Sequence, residues 1–375
     1  MTWFFDHDRH RVAGPLTALG ILFGTYGVSA QAINEEQFRW CDARELQVEG
    51  RGWTDTKNLY DRLPARAEKI VRPSVWSLSR DSAGICVRFV TDATMIAARW
   101  QLRKDALAMP HMPATGVSGL DLYVKDKGSW RWLGNGRPTN KTEEKVLVRG
   151  LKPKRREYLL YLPLYNGVTE LSIGVPQKAD LESGSARKAN VKPVVFYGTS
   201  IVQGGCASRP GMAYPAILGR RLDRPTINLG FSGNAQCEPE LARLLAELDP
   251  AVYVLDPLPN MNAEMIAERF EQFVRTLREA RPNTPMVLVE NIEYTDGDFV
   301  ESRRARFTGA NSRLKEIYER LTKSGQRKVF YVRAAKLIGG DGEGTVDGTH
   351  PTDLGFFRMA DAIEPALRRA LKLGR

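Results

Sequence analysis

The chain of 375 residues is 42% hydrophobic and 26% charged, with a net charge of +11. That length suggests two domains, each able to bury a core without disulfide or metal staples, and the composition is that of a globular protein with no low-complexity tract. The basic excess is scattered, with short clusters such as 152–156 and no basic stripe interleaved with aromatics. It therefore reads as solvated surface, which excludes a nucleic-acid-binding face.

At the N-terminus, Arg9, His10 and Arg11 precede an apolar stretch over 12–28, and Val28-Ser29-Ala30 supplies small residues. A charged head, an apolar middle and a small-residue cleavage site predict a secretory signal peptide over 1–30. Gly and Pro dilute the stretch, and a stable span needs ~20 strongly apolar residues. The expectation is an exported protein, periplasmic or extracellular, with no stable membrane span in its mature form. Export permits disulfides, and Cys206 and Cys237 both fall near the candidate site, but Cys41, Cys86, Cys206 and Cys237 follow no metal-ligand spacing.

From about residue 74 to 175 the chain reads as short strands. The runs 85–91 (ICVRFVT), 95–102 (MIAARWQL), 120–124 (LDLYV), 158–162 (YLLYL) and 171–175 (LSIGV) are rich in β-branched and aromatic residues, with turn residues between them. This texture predicts an antiparallel β-sandwich over 31–178. A polar, small-residue linker over 179–192 follows. Over 193–375 the period changes. Short apolar runs at 194–197, 226–229, 252–255, 286–290 and 329–332 alternate with helical patterns, the best at 263–281. Such alternation predicts a five-stranded parallel sheet covered on both faces, with its reactive crevice at the carboxyl ends of the strands.

The residues at those ends carry the candidate chemistry. After the first run comes Gly198-Thr199-Ser200-Ile201, where a serine hydroxyl opens into the crevice beside a helix N-terminus suited to developing negative charge. Gly233 in the loop after the second run presents a backbone N–H without side-chain interference. Asn260 after the third offers a side-chain amide. Before the last helix stand Asp347 and His350. His7 and His10 fall within the expected leader, so the candidates for a base of near-neutral pKa reduce to His111 and His350.

The ordered blocks GTSI (198–201), GFSGNA (230–235), PNM (259–261) and DGTH (347–350) resemble those of the SGNH, or GDSL-type, hydrolases. Upstream, Gly119-Leu120-Asp121-Leu122-Tyr123 resembles the GxDLY signature of a β-sandwich, jelly-roll-like domain that precedes the hydrolase domain in one bacterial branch. The resemblance implies a flavodoxin-like three-layer α/β/α hydrolase domain. It also implies Ser200 as nucleophile, His350 as base and Asp347 as its orienter. The oxyanion hole would be formed by Ser200, Gly233 and Asn260, with no metal or other cofactor. Thr199 stands where many relatives carry Asp, and the third block reads Leu258-Pro259-Asn260-Met261 in place of Gly-x-Asn-Asp, which keeps Asn262 as a rival to Asn260.

The implied activity is a serine esterase acting on short acyl esters, O-acetyl groups of carbohydrate foremost. The alternatives are short-chain lipid or aryl esters, or a non-catalytic carbohydrate-binding protein on a hydrolase scaffold. His111, Arg209 and Glu290 are candidate substrate contacts, each with a structural alternative: a loop histidine, a surface salt bridge and a satisfied strand-end carboxylate.

Overall fold

The protein, seen in a computed structural model, is described over residues 38–374 except Ala189 and Lys336; the expected leader at 1–30 lies outside the described residues. The N-terminal half builds two antiparallel sheets from β1 (Phe38–Asp42), β2 (Gln47–Glu49), β3 (Cys86–Thr91), β4 (Met95–Leu102), β5 (Leu120–Asp126), β6 (Ser129–Gly136), β7 (Thr142–Arg149), β8 (Arg156–Tyr161), β9 (Val168–Pro176) and β10 (Leu181–Ser183). The short helices α1 (Pro73–Ser79) and α2 (Ala114–Val117) fall between them. One sheet runs β1-β9-β4-β7 and the other β10-β3-β8-β5-β6, with β2 added beside β3.

Alternation along the strands makes the sandwich. Val87 and Phe89, Leu120 and Leu122, and Tyr158 and Leu160 from one sheet meet Ile96, Ala98, Trp100 and Ile173 from the other in a shared core. The centre of the second sheet's other face is covered as well. Cys86, Tyr123, Leu159 and Tyr161 pack with Ala216, which belongs to the following α/β region. Burial on both faces explains why 158–162 reads as an unbroken apolar run. The outer strands β6 and β7, which the hydropathy pattern did not reveal, carry Trp130, Arg131, Trp132, Glu143, Glu144 and Lys145 among few core residues. Leu181–Ser183, inside the segment expected to be a linker, pairs with β3.

The C-terminal half alternates β11 (Val194–Gly198), α3 (Ser200–Gln203), α4 (Tyr214–Arg221), β12 (Thr226–Gly230), α5 (Pro239–Glu247), β13 (Val252–Asp256), α6 (Ala263–Ala280), β14 (Met286–Val289), α7 (Glu301–Lys323), β15 (Val329–Val332) and α8 (Asp353–Ala370). All five strands are parallel, in the order β12-β11-β13-β14-β15. Each strand serves two cores. In β11, Val195 and Tyr197 face the side covered by α5, α6 and α7, while Val194 and Phe196 face the side covered by α4 and α8. This is the three-layer α/β/α arrangement with flavodoxin-like strand order. Asn262 begins α6 by accepting a hydrogen bond from the Met265 N–H at 2.8 Å. Ile266, Phe270, Phe273, Val274 and Leu277 then line the helix's buried face.

The two halves interlock. Trp53, Leu63, Val71 and Val75, from the segment between β2 and β3, join the core beside β11 and β12. Asp121 of β5 is fully buried and accepts hydrogen bonds at 2.8 Å from Arg209 Nη1, the Gly211 N–H and Trp132 Nε1. Burial pushes the Asp121 carboxyl up, against the opposing pull of the Arg209 charge and these hydrogen bonds. The phenol of Tyr123 accepts from the same Arg209. The Asp and Tyr of the GxDLY segment are therefore a clamp on the loop that follows α3. Gly119 is required for close packing, since a Cβ there would lie 2.4 Å from the Thr115 carbonyl oxygen.

Candidate active site

Ser200 is placed by backbone. β11 ends at Gly198, where a Cβ would lie 2.4 Å from the Asp256 carbonyl oxygen. Thr199 then caps α3, its Oγ1 accepting from the Ile201 N–H at 3.2 Å. The helix lasts four residues and stops at Gly204, in the left-handed region at φ 110°. The Gly204 and Gly205 N–H groups both donate to the Ser200 carbonyl oxygen, at 2.9 and 2.7 Å. Tyr165, from the loop between β8 and β9, adds its hydroxyl at 3.3 Å. The residue that results is 6% exposed, with its Oγ 2.9 Å from His350 Nε2.

Asp347 and His350 ride on a loop closed by the Val346 N–H donating to the His350 carbonyl at 2.8 Å. Asp347 Oδ1 accepts from the Thr349 and His350 N–H groups at 3.0 and 2.7 Å, and Oδ2 lies 2.7 Å from His350 Nδ1. Partial burial raises the Asp347 carboxyl, but the hydrogen bonds and charge of His350 and the Thr349 N–H outweigh it, so the net shift is downward and the carboxylate is ionised. Arg303 of α7 braces this loop, with Nε 2.8 Å from Asp296 Oδ1 and Nη2 2.9 Å from Thr349 Oγ1.

The loops after β12 and β13 lie at the same end of the parallel sheet as Ser200. Gly233 lies in the left-handed region at φ 69°, with open space where a Cβ would be. Asn260 Oδ1 accepts from the Ala235 N–H at 3.3 Å, which ties it to the Gly233 loop and leaves its Nδ2 to donate elsewhere. The Ser200 N–H opens α3 and so has no partner within the helix. Asn262 caps α6 through its Oδ1, whereas Asn260 is the one tied to the Gly233 loop.

Buried polar residues that sequence reasoning missed hold the second block in place. Gln203 Oε1 accepts from the Ser232 N–H at 3.0 Å while its Nε2 donates to the Leu164 carbonyl at 3.0 Å. Arg62, 1% exposed, donates through Nη1 to the carbonyls of Asn228 and Gly230 at 3.1 and 2.7 Å. Burial lowers this guanidinium to about 10, the charge of Asp81 opposing, and it stays cationic at neutral pH. At the end of β13, burial pushes Asp256 up to about 8 against the hydrogen bond that the Tyr214 hydroxyl donates to it at 3.0 Å.

Of the remaining candidates, His111 lies beside the site, its ring centroid 5.6 Å from that of His350. Arg209 is engaged in the Asp121 clamp described above. Glu290 accepts from the Tyr331 hydroxyl and, at 2.6 Å, from the Ala334 N–H. It is the satisfied strand-end carboxylate. All four cysteines are free thiols, so Cys206 and Cys237 are not bridged. Burial, aided by the Asp347 charge, pushes the Cys206 thiol up to about 12.

Residues 191–368 match the GDSL-like lipase/acylhydrolase family, and residues 38–181 match the N-terminus of SGNH-hydrolase-type esterases known as GxDLY. A GDSL-like lipase from Bacteroides ovatus is 37% identical, with a TM-score of 0.85 over 90% of this chain and 99% of its own. The chain belongs to the GDSL-like lipase/acylhydrolase family. This acylhydrolase is thus a carboxylic ester hydrolase of the SGNH type. It shares its fold with a salicylyl-acyltransferase from a tetracycline biosynthetic pathway, 19% identical with a TM-score of 0.70 over 90% of this chain and 98% of that one. A family two carbohydrate esterase from Cellvibrio japonicus shares it at 14% identity and a TM-score of 0.57, over 89% and 98% of the two chains. No curated protein sequence matches the acylhydrolase.

Proposed function

We propose that the protein is an exported serine esterase that removes short acyl groups, O-acetyl groups of carbohydrate foremost. The observation that carries this reading is the continuous chain Ser200 Oγ to His350 Nε2 at 2.9 Å and His350 Nδ1 to Asp347 at 2.7 Å, at the carboxyl end of a parallel sheet. His350 takes the hydroxyl proton as Ser200 Oγ bonds to the ester carbonyl carbon. Asp347 fixes the tautomer and stabilises the imidazolium. The Ser200 and Gly233 N–H groups and the Asn260 amide receive the oxyanion, each such donor worth about 3 kcal/mol of barrier. The C–O bond to the leaving group breaks as His350 returns the proton to that oxygen. Water, deprotonated by the same imidazole, then releases the acid and frees Ser200.

The carbohydrate esterases that share the fold support sugar O-acetyl esters, as does the sandwich domain; both are fold-level support. The apolar leader expected over 1–30 supports export. Acetate release from acetylated xylan, pectin, chitin oligomers and p-nitrophenyl acetate is the test. The wild type is expected to release acetate and Ser200→Ala to show only background. Equal background in both would leave the non-catalytic carbohydrate-binding alternative.

A further inference from the structure

The site contains ligating groups that the esterase mechanism does not use. One donor atom each of His111, Cys206 and His350 lies within 4.8 Å of the others, and among the described residues this is the one His/Cys/Asp/Glu group of three so arranged. We propose that these three side chains form an inhibitory site for a divalent cation of the zinc class, which stops turnover by capturing the imidazole that Ser200 needs. The inference rests on His350 being the base.

Three separate segments bring the ligands together. His111 sits in a tight loop closed by reciprocal Met109 and Met112 backbone hydrogen bonds, both 3.0 Å. Cys206 is 6% exposed and held at φ 73°, a left-handed conformation unusual for a residue with a side chain. That backbone is fixed by the Ala207 N–H donating to Gly204 at 3.1 Å. His350 already has a carboxylate on Nδ1 at 2.7 Å, the kind of contact that orients a metal-binding imidazole. Its Nε2 is therefore the atom left to coordinate.

The donor chemistry selects the ion. Two imidazoles and a thiolate suit zinc and its neighbours and reject the hard, oxygen-seeking calcium and magnesium. Tetrahedral bonds of about 2.0–2.3 Å place ligand atoms roughly 3.3–3.8 Å apart. Separations of up to 4.8 Å must therefore close by about 1.5 Å at most. The fourth position falls to the Ser200 oxygen or to water. On binding, the metal–sulfur bond forms, the thiol proton passes to solvent, and the Ser200 to His350 hydrogen bond is broken; no redox step is involved.

Cobalt(II) serves as a coloured probe that reports independently of turnover. The wild-type protein and Ser200→Ala should both show thiolate-to-cobalt charge transfer, lost in Cys206→Ser. Zinc should inhibit ester hydrolysis reversibly, with activity restored by chelator. Measured against each variant's own metal-free rate, half-inhibition should need about tenfold more zinc, or beyond, in Cys206→Ser and His111→Gln. Thermal melts establish that each variant is folded. Zinc acting equally on wild type and both variants, or no cobalt band in folded wild type, would overturn the site. Undiminished turnover by Ser200→Ala would instead overturn the esterase reading, while the cobalt spectrum of that same variant still decides the metal site.

Discussion

Ser200 and His350 meet from opposite kinds of surroundings. The serine is 6% exposed and sits on a four-residue helix enclosed by the parallel sheet, the Tyr165 loop and the buried amide of Gln203. The side chains of His350 and Asp347 are 24% and 41% exposed, on a loop held by hydrogen bonds and by Arg303. Apolar packing and close backbone contact thus position the nucleophile, while polar contacts position the base. Lesions on the first side should appear mainly as lost stability, and lesions on the second mainly as lost rate.

The largest test of that division is His350→Ala. Turnover of p-nitrophenyl acetate should fall by about 10⁴–10⁶. The melting temperature should barely move, because the ring is partly solvated and few apolar contacts are lost. A large drop in melting temperature would mean that the loop also carries the fold.

On the buried side, Asp256 gives a pH-dependent signature. Its folded pKa of about 8 lies above its unfolded value, so the native state holds a proton that the unfolded chain has released. Its contribution is fully present below the unfolded pKa and is lost as pH rises through the folded one. Asp256→Asn keeps an acceptor for Tyr214 and removes the titration. Urea unfolding at pH 5, 7 and 9 should show wild type losing on the order of a few kcal/mol more than the variant across that range. Parallel pH profiles would show that Asp256 is not the source.

Asp121→Asn removes the buried counter-charge of the partly exposed Arg209 and should cost about 1–3 kcal/mol in stability. The folded fraction should turn over at nearly the wild-type rate. A rate loss larger than the stability loss would show the GxDLY clamp acting on Ser200 itself. The smallest effect is expected for Arg303→Ala, which frees Thr349 and loosens the base. kcat should fall about tenfold, with KM and melting temperature nearly unchanged.

The same contrast explains what could be read in the sequence. Strands such as 194–197 and 252–255 were legible because burial on both faces forces an unbroken apolar run. The candidate residues were legible because they follow those runs at the strand ends. β6 and β7 were not, since their exposed faces carry charge and tryptophan and obscure the alternation. The supports of the site were invisible for another reason. Arg62 lies 166 residues from the Asn228 carbonyl that it binds, and Arg303 lies 46 from Thr349. No local period marks such contacts; the first exists only once the two halves dock, and the second only once α7 packs beside the Asp347 loop. The clamp at Asp121 belongs to the same class, and Arg209, considered as a substrate contact, is spent there.

Covalent labelling reads out whether one serine is activated by His350. A fluorophosphonate that reacts only with activated serines should modify the wild-type protein once, and peptide mass spectrometry should place the adduct on Ser200. His350→Ala should prevent the adduct. An adduct on a different serine, or undiminished labelling of Ser200 without the imidazole, would contradict the account.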